Sequence, residues 1–259
     1  MRNLSAVLWI ELRKAIRSRM PLWTALGSLF LPFGIAFLIF VAKNPEISRK
    51  LGLISAKANL LAYSATDWPA YLQVYGMIIA AGGYFLFVLV ISWVFGREFA
   101  DGTVKDILAV PVSRASILLA KFITVAIWSL ALTVLIVFAG LLTGMLMDLP
   151  GSSPAVFLQG GSMVLVTTGL VILALPPFAF FASLGRGYLL PIGVAVLALM
   201  MSNLIMIIGR AEYFPWAVPA LYAQGENPLP PASYWIVLVT GLLGMLATYL
   251  WWIYADQSR

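Results

Sequence analysis

Six long apolar stretches, separated by shorter polar segments, set the pattern of this chain. They cover residues 21–42, 72–95, 116–146, 156–184, 188–208 and 233–254. A transmembrane helix needs about 20 mainly apolar residues, and each stretch reaches that length. Inside lipid, only helices and closed barrels satisfy all of their backbone hydrogen bonds. The pattern therefore predicts an all-α, polytopic integral membrane protein with six transmembrane helices.

Proline and glycine mark places where these helices should depart from a straight path. Pro32 predicts a kink in the first span, and Pro176–Pro177 predicts an interruption of the fourth. Gly82–Gly83 would allow the second span to bend or to pack closely. Gly140 and Gly144 form a GxxxG pair in the third span, which we interpret as packing within one subunit rather than as a dimer seam.

Residues 3–19 predict an amphipathic helix that lies along the membrane surface. Its apolar side chains recur at helical spacing: Leu4, Val7, Leu8, Leu12, Ala15 and Ile16. Arg13, Lys14 and Arg17 fall on the other side, as in helices that lie in the interface. The alternative is a basic flank that only fixes the orientation of the first span. Both interpretations place the N-terminus in the cytoplasm.

Residues 209–231, before the last span, are rich in aromatic residues and proline. Tyr213, Phe214, Trp216 and Tyr222 are typical of an interfacial or partly re-entrant segment, which we expect on the outside. These rings would suit an amphiphilic substrate. They would equally suit an ordinary aromatic belt.

The composition agrees with a single transmembrane domain over residues 1–259. The chain is 62% hydrophobic and 10% charged, with 0 Cys and 0 His, whereas a soluble domain carries about 25% charged residues. The absence of Cys and His removes thiol nucleophiles, imidazole bases and the usual zinc ligands, so we expect no metal or cofactor on this chain. The net charge of +6 could suggest nucleic acid, but we attribute it to the positive-inside bias.

The distribution of Lys and Arg supports six spans with both termini in the cytoplasm. Eleven fall inside: Arg2, Arg13, Lys14, Arg17, Arg19, Arg97, Lys105, Arg114, Lys121, Arg186 and Arg259. Five fall outside: Lys43, Arg49, Lys50, Lys57 and Arg210. Cytoplasmic loops carry the excess of basic residues, so this is the expected sense.

The segment Gly96–Arg114 is a charged loop between two membrane-length stretches. It holds six charges: Arg97, Glu98, Asp101, Lys105, Asp106 and Arg114. The spacing of four residues between Arg97, Asp101 and Lys105 allows ion pairs along a helix face. We interpret the loop as a docking surface. The alternative is a solvated connector with no partner.

The same loop carries signals for local structure. Asp101–Gly102 predicts a break, and Thr103 with Asp106 has the form of a capping box that would start a short helix. Pro111 should stop that helix. Ser113 can then cap the third span.

The spans are nearly free of ionisable groups. Asp148, Glu212 and Glu226 lie at or beyond the predicted outer boundary, and Lys121 lies near the inner one. Ion-driven transporters place such groups at mid-membrane depth. The chain also lacks a GxxxxGK[ST] phosphate loop. If it moves a substrate uphill, another protein must supply the energy, and the charged loop is where that protein could act.

The stretch Glu98–Lys121 resembles the segment between the second and third spans of ABC-2 type permeases, the membrane subunits of ATP-binding-cassette exporters. The shared residues are Glu98, Phe99, Gly102, Thr103, Pro111, Ser113, Arg114 and Lys121. The resemblance implies an ABC-2 (type V) exporter fold whose amphipathic start is an elbow helix. Bacitracin and lantibiotic self-protection permeases are similar in size.

The resemblance also implies partners and a site. Two permease chains, identical or related, would form a pore in the lipid of a bacterial plasma membrane, with an ATPase on each cytoplasmic face that binds ATP and Mg. Residues 96–112 would be the coupling helix, and the coupling residues are Arg97, Glu98, Phe99, Asp101, Gly102, Thr103, Lys105, Asp106, Pro111 and Arg114. Glu98 and Asp101 would meet basic groups of the ATPase. The implied substrate is a peptide antibiotic, a lipid or another amphiphile.

Two other classes of function stay open at this point. A sensor or assembly subunit could use the same loop to dock a different cytoplasmic protein. A membrane-embedded enzyme would need Asp, Glu, Ser or Lys for its chemistry, and no paired carboxylates occur at one predicted depth. We therefore expect a non-catalytic subunit.

Overall fold

The computed structural model describes residues 2–44, 67–104, 106, 111–225 and 228–254. Within these ranges the protein is helical and contains no strand. The helices are α1 (Arg2–Arg17), α2 (Met20–Lys43), α3 (Trp68–Ile78), α4 (Tyr84–Ala100), α5 (Arg114–Leu146), α6 (Pro154–Ala174), α7 (Pro176–Leu184), α8 (Leu189–Ile208), α9 (Val218–Gln224) and α10 (Pro231–Tyr254). A π-helical segment, Ile79–Gly83, joins α3 to α4.

Six segments of the described chain are long and apolar enough to cross a membrane: α2, α3–α4, α5, α6–α7, α8 and α10. The predicted all-α architecture with six spans is therefore confirmed. Because successive spans run in opposite directions, the connections gather at two ends of the bundle. The end formed by α1, residues 97–104 and 111–113, residues 185–188 and the end of α10 is called the charged end, and the other is called the opposite end.

The predicted departures at Gly82–Gly83 and at Pro176–Pro177 are present, whereas Pro32 lies inside α2, which is assigned as one helix from Met20 to Lys43. In the second span both glycines belong to the π-helical segment Ile79–Gly83, and a Cβ at Gly82 would lie 2.8 Å from Leu31 Cδ2. In the fourth span Pro176 and Pro177 lack backbone N–H groups, so the helix is interrupted at Leu175. Phe178 N–H then bonds to Leu175 O at 2.9 Å.

The aromatic segment before the last span supplies a hydrogen bond beside the interruption of the fourth span. Trp216 Nε1 donates to Ala174 O at 3.1 Å, which satisfies a carbonyl beside the interruption. The short helix α9 packs against α6, α3 and the π-helical segment. The segment is thus folded back onto the bundle and extends to the middle of the second span.

The GxxxG pair serves packing within the subunit. A side chain at Gly140 would collide with the ring of Tyr75, and one at Gly144 would collide with Trp68 and Tyr71. The two glycines therefore let α5 approach α3 closely, as the sequence predicted.

Candidate functional site

The charged loop begins where α4 ends, and that end is fixed by a Schellman motif. Gly102 has a φ of +70°, a conformation that glycine adopts without steric cost. Gly102 N–H bonds to Phe99 O at 3.3 Å, and Thr103 N–H bonds to Glu98 O at 2.9 Å. The break predicted at Asp101–Gly102 is confirmed. It also holds Glu98 in the last turn of α4.

Four side chains form a buried ion-pair cluster beneath this loop. Lys121 Nζ donates to Glu98 Oε1 at 2.7 Å, to Glu11 Oε2 at 3.2 Å and to the carbonyl of Val94 at 3.1 Å. Lys14 Nζ contacts Glu11 Oε1 at 2.9 Å and Glu98 Oε1 at 3.2 Å. The cluster therefore joins α1, α4 and α5 through two carboxylates and two ammonium groups.

Burial makes this cluster costly to disturb. Lys121 is 0% exposed, Glu98 5% and Glu11 7%, whereas the side chain of Lys14 is 36% exposed. A buried ion pair repays its desolvation only when geometry and hydrogen bonds are good, and loss of one partner leaves an uncompensated charge. The four charges balance, so the three helices are favoured in one relative arrangement.

The two members on α1 have perturbed pKa values. Burial alone would raise the pKa of Glu11, but the charges of Lys121 and Lys14 and the hydrogen bonds from both outweigh burial, and the pKa is lowered. Burial alone would lower the pKa of Lys14, but Glu11 and Glu98 outweigh it, and the pKa is raised. Both groups are therefore held in their charged forms at neutral pH.

Glu98 has acceptor capacity that the cluster does not use. Its Oε1 atom accepts from both lysines, while its buried Oε2 atom has no hydrogen-bond partner among the described residues. Beside it lies a cavity of about 310 Å³. The lining residues are Glu11, Lys14, Trp93, Val94, Arg97, Glu98, Asp101, Thr103, Asp106 and Thr124. The cavity joins the buried cluster to the loop.

The predicted coupling residues do not all face the same way. Gly102, Thr103, Asp106 and Pro111 are exposed, whereas Lys105 lies outside the described residues, as does most of the predicted short helix. The carboxylate of Glu98 lies inside the bundle, not on the surface where the resemblance would have it meet an ATPase. The physical reason is Lys121, a buried cation that needs a counter-charge.

Arg97 and Asp101 form the exposed ion pair that their spacing predicted. Arg97 Nε lies 3.2 Å from Asp101 Oδ2, and its guanidinium lies 5.0 Å from the ring centre of Trp93. Such an exposed pair contributes little stability, about 0.3–0.5 kcal/mol on a helix. It leaves Asp101 available at the surface of the loop.

Two further predicted residues contact the last helix. Arg114 Nη1 donates to the carbonyls of Trp252 and Ile253, where helix ends leave acceptors free. Phe99 packs edge-on against Trp252, with ring centres 5.8 Å apart. The predicted cap of α5 is confirmed, because Ser113 Oγ accepts from the next turn. The loop is therefore tied to α10 as well as to α1.

The turn between α7 and α8 packs beside the start of the loop. A side chain at Gly96 would lie 2.8 Å from Gly187 O and 3.2 Å from Tyr188, so only glycine fits there. Burial, aided by the charge of Asp101, raises the pKa of Tyr188 against the opposing effect of Arg97. Gly96 and this turn are therefore packed so closely that one cannot shift toward the other without displacing it.

Sequence reasoning missed Glu11. Its position between Val7 and Ala15 puts an acid on the apolar stripe of α1 rather than on the basic side. Lys121 is the one lysine within the predicted spans. An acid on an apolar stripe and a lysine inside a span each need a counter-charge, and that need is the signal that could have paired them.

Two comparisons with known proteins agree with this architecture. The family described as ABC-2 family transporter protein matches residues 7–202, well over half of the chain. The matched range includes all four residues of the buried cluster. The chain is also similar to bacitracin transport permease protein BCRB of Bacillus licheniformis, with 29% identity over 178 residues, which cover 67% of this chain and 85% of that protein.

Proposed function

Since this chain belongs to the ABC-2 transporter family and is a membrane permease, we propose that it forms the translocation path of an ATP-driven exporter with a second permease chain. Its fold would be the type V exporter fold, with α1 as the elbow helix. A cytoplasmic ABC ATPase, present in two copies, binds ATP and Mg and supplies the energy. This chain carries no catalytic residue in the proposal.

The observation that carries the proposal is the buried cluster beneath the charged loop. Glu98 stands two residues before the end of α4, where the loop begins, and it is held by Lys121 of α5 and Lys14 of α1. A push on the loop by the ATPase would therefore be passed to three helices together. Separation of the buried charges would be costly, so the helices would move as one body.

The surface of the loop would make the contact and the cluster would transmit it. Asp101, Asp106, Thr103 and Pro111 are exposed and would face the ATPase. Arg97 would set the conformation of Asp101 through their ion pair. Glu98 would act indirectly, through the helices that it holds together.

The proposed substrate is a peptide antibiotic, or else a lipid or another amphiphile. Support comes from the relative whose name states bacitracin transport and from the apolar surfaces of the spans. The proposed location is a bacterial plasma membrane, with both termini and the charged end in the cytoplasm. The excess of basic residues on that side supports this orientation.

Association with an ATPase tests the proposal directly. The tagged chain would be purified in mild detergent from its native host, and bound ATPase would be measured by activity and mass spectrometry. We expect a stoichiometric ABC ATPase whose recovery falls when Asp101 and Asp106 are both changed to Asn. Asp148→Asn is the matched control, because Asp148 is an exposed acid at the opposite end with a φ of 52°, which Asn tolerates.

Two results would contradict the proposal. If no ATPase accompanies an intact permease, the charged loop does not dock one. If ATPase recovery falls as much with Asp148→Asn as with the loop variants, the loop is not the docking surface.

A further inference from the structure

An apolar groove lies where α1 and α2 both pack against α5. It has a volume of about 310 Å³ and is lined by residues of α1 between Leu12 and Ile16, of α2 between Pro21 and Ala25, and of α5 between Thr124 and Leu135. All of these ranges, and the residues that connect α1 to α2, belong to the described part of the protein. The groove lies beside the buried cluster, because Thr124 borders both the groove and the cavity next to Glu98.

The wall of the groove is hydrocarbon along its length. Among the described lining residues, two carry a polar side-chain atom, Thr124 and Trp128, and both atoms are engaged inside the bundle. Thr124 Oγ1 donates to Ala120 O at 2.9 Å, and Trp128 Nε1 donates to Thr24 Oγ1 at 3.2 Å. A polar group that is buried without a hydrogen bond is costly. The groove therefore suits a plain hydrocarbon chain and disfavours a peptide, whose N–H and C=O groups would lack partners there.

The length of the groove matches one leaflet of a bilayer. From Thr124 to Leu135 the helix rises about 16 Å, and half of the hydrocarbon core is about 15 Å thick. The groove is also open at the surface of the bundle, since Ile16, Ile127 and Ala131 are exposed. A lipid chain that lies along α5 can therefore enter the groove from the side and extend through the leaflet.

Two arginines stand at the end of the groove that lies at the membrane boundary. The span of α2 begins at Met20, so the connection that precedes it lies at that boundary. Arg17 and Arg19 belong to this connection, between the lining residues Ile16 and Pro21, and both arginine side chains are exposed. A ligand that fills the groove therefore has its outer end beside two guanidinium groups.

The connection is ordered and carries a net positive charge. Ser18 Oγ donates to Ala15 O at 2.7 Å and accepts from Met20 N–H at 3.3 Å, which fixes the backbone between α1 and α2. Residues 2–43 of the sequence hold one acid, Glu11, and its carboxylate is engaged in the buried cluster. A guanidinium group presents a planar fork of donors that matches a phosphate. The mouth of the groove therefore favours a lipid whose phosphate headgroup carries a net negative charge.

We propose that this groove binds one acyl chain of an anionic phospholipid, whose headgroup lies against Arg17 and Arg19. The lipid is a resident of the protein and not its cargo, so the inference goes beyond the proposed transport. Because α1 also carries Glu11 and Lys14 of the buried cluster, the bound lipid would hold this helix against α5 from the membrane side.

Lipid titration followed by native mass spectrometry tests this inference. The whole chain in mild detergent is titrated with phosphatidylglycerol or with phosphatidylcholine of identical acyl chains, and the fraction that carries a first bound lipid is measured. We expect phosphatidylglycerol to half-saturate the protein at the lower concentration. Arg17→Gln and Arg19→Gln should each raise that concentration about fivefold, which corresponds to about 1 kcal/mol for one basic residue. Neither variant should change the binding of phosphatidylcholine.

Matched variants separate recognition of the headgroup from recognition of the acyl chain. Arg210→Gln is the control for charge, because Arg210 is an exposed arginine at the opposite end, and it should leave the binding of phosphatidylglycerol unchanged. Ala131→Phe places a ring in the groove and should remove the saturable binding of both lipids. Ala155→Phe makes the same substitution at an exposed alanine of α6 at the opposite end and should leave binding unchanged.

Several outcomes would overturn the inference. Equal binding of the two lipids by the wild type, equal weakening by Arg210→Gln, or unchanged binding by Ala131→Phe would each do so. Competition by glycerol phosphate, which has no acyl chain, would show that the arginines bind a free anion instead. A dimer without lipid that Ala131→Phe dissociates would show that a second copy of the chain covers the groove. The titration needs no ATPase, so failure of the lipid site and failure of the exporter assignment are distinguishable.

Discussion

Replacement of Lys121 by Met removes the cation at the centre of the buried cluster. Lys121 is 0% exposed, lies 2.7 Å from Glu98 Oε1 and 3.2 Å from Glu11 Oε2, and also donates to a backbone carbonyl. Methionine keeps most of the volume but none of the charge. Loss of one partner from a buried pair costs about 3–5 kcal/mol, because the other partner stays buried without a counter-charge. We expect a loss of stability in that range for Lys121→Met.

Burial and charge give two internal controls for this prediction. Lys14→Met makes the same substitution at the half-exposed lysine and should cost about 1 kcal/mol or less, since solvent screens that pair. Glu98→Gln combined with Lys121→Met removes the stranded carboxylate. The double variant should therefore be more stable than Lys121→Met alone, with an interaction energy of about 1–3 kcal/mol.

The measurement is reversible unfolding in mixed detergent micelles at pH 7, followed by tryptophan fluorescence. If Lys121→Met unfolds like the wild type, the buried cluster does not stabilise the fold. If Lys14→Met is as destabilised as Lys121→Met, the cost of losing a lysine from the cluster does not follow its burial.

Three further predictions concern the charged end and the packing of the spans. Glu11 has a lowered pKa in the folded state, so its contribution to stability is present above its ordinary value of 4.5 and is lost as the pH falls below 4.5. The stability difference between wild type and Glu11→Gln should therefore be constant from pH 7 to pH 5 and shrink at pH 3; an unchanged difference at pH 3 would contradict this. The guanidinium of Arg114 binds carbonyls in the last turn of α10, so Arg114→Ala should speed hydrogen exchange there and leave exchange in α8 unchanged. Equal exchange in wild type and variant would show that Arg114 does not cap α10. Gly140→Leu should cost about 1–3 kcal/mol in the same micelle assay, because α3 leaves no room there, whereas Gly161→Leu faces open space and should be tolerated; the opposite order would contradict the packing of α5 on α3.

The spans could be predicted because each is specified by its own residues. Hydropathy gives the membrane segments, Ser113 caps α5 through atoms only three residues away, and Pro176 interrupts a helix through its own missing N–H. The break at Gly102 is equally local. These features depend on short stretches of sequence and therefore follow from sequence patterns.

The buried cluster could not be predicted in the same way, because it depends on three helices meeting. Glu11 and Lys121 are 110 residues apart, and nothing local to either residue shows that α1 packs on α5. Glu98 lies in a charged stretch, where an exposed orientation is the ordinary expectation. Only the packing shows that its carboxylate faces inward to Lys121.

ATP hydrolysis by the reconstituted complex shows whether the buried cluster couples the charged loop to the spans. The co-purified ATPase would be assayed in vesicles without permease, with wild-type permease and with Glu98→Gln permease. The two permease samples would contain equal amounts of bound ATPase. We expect that Glu98→Gln permease binds the ATPase normally but loses most of the stimulation that the wild type gives, because the charge that holds Lys121 of α5 and Lys14 of α1 to the end of α4 is gone. Full stimulation by Glu98→Gln permease would show that the buried cluster does not transmit the movement of the loop.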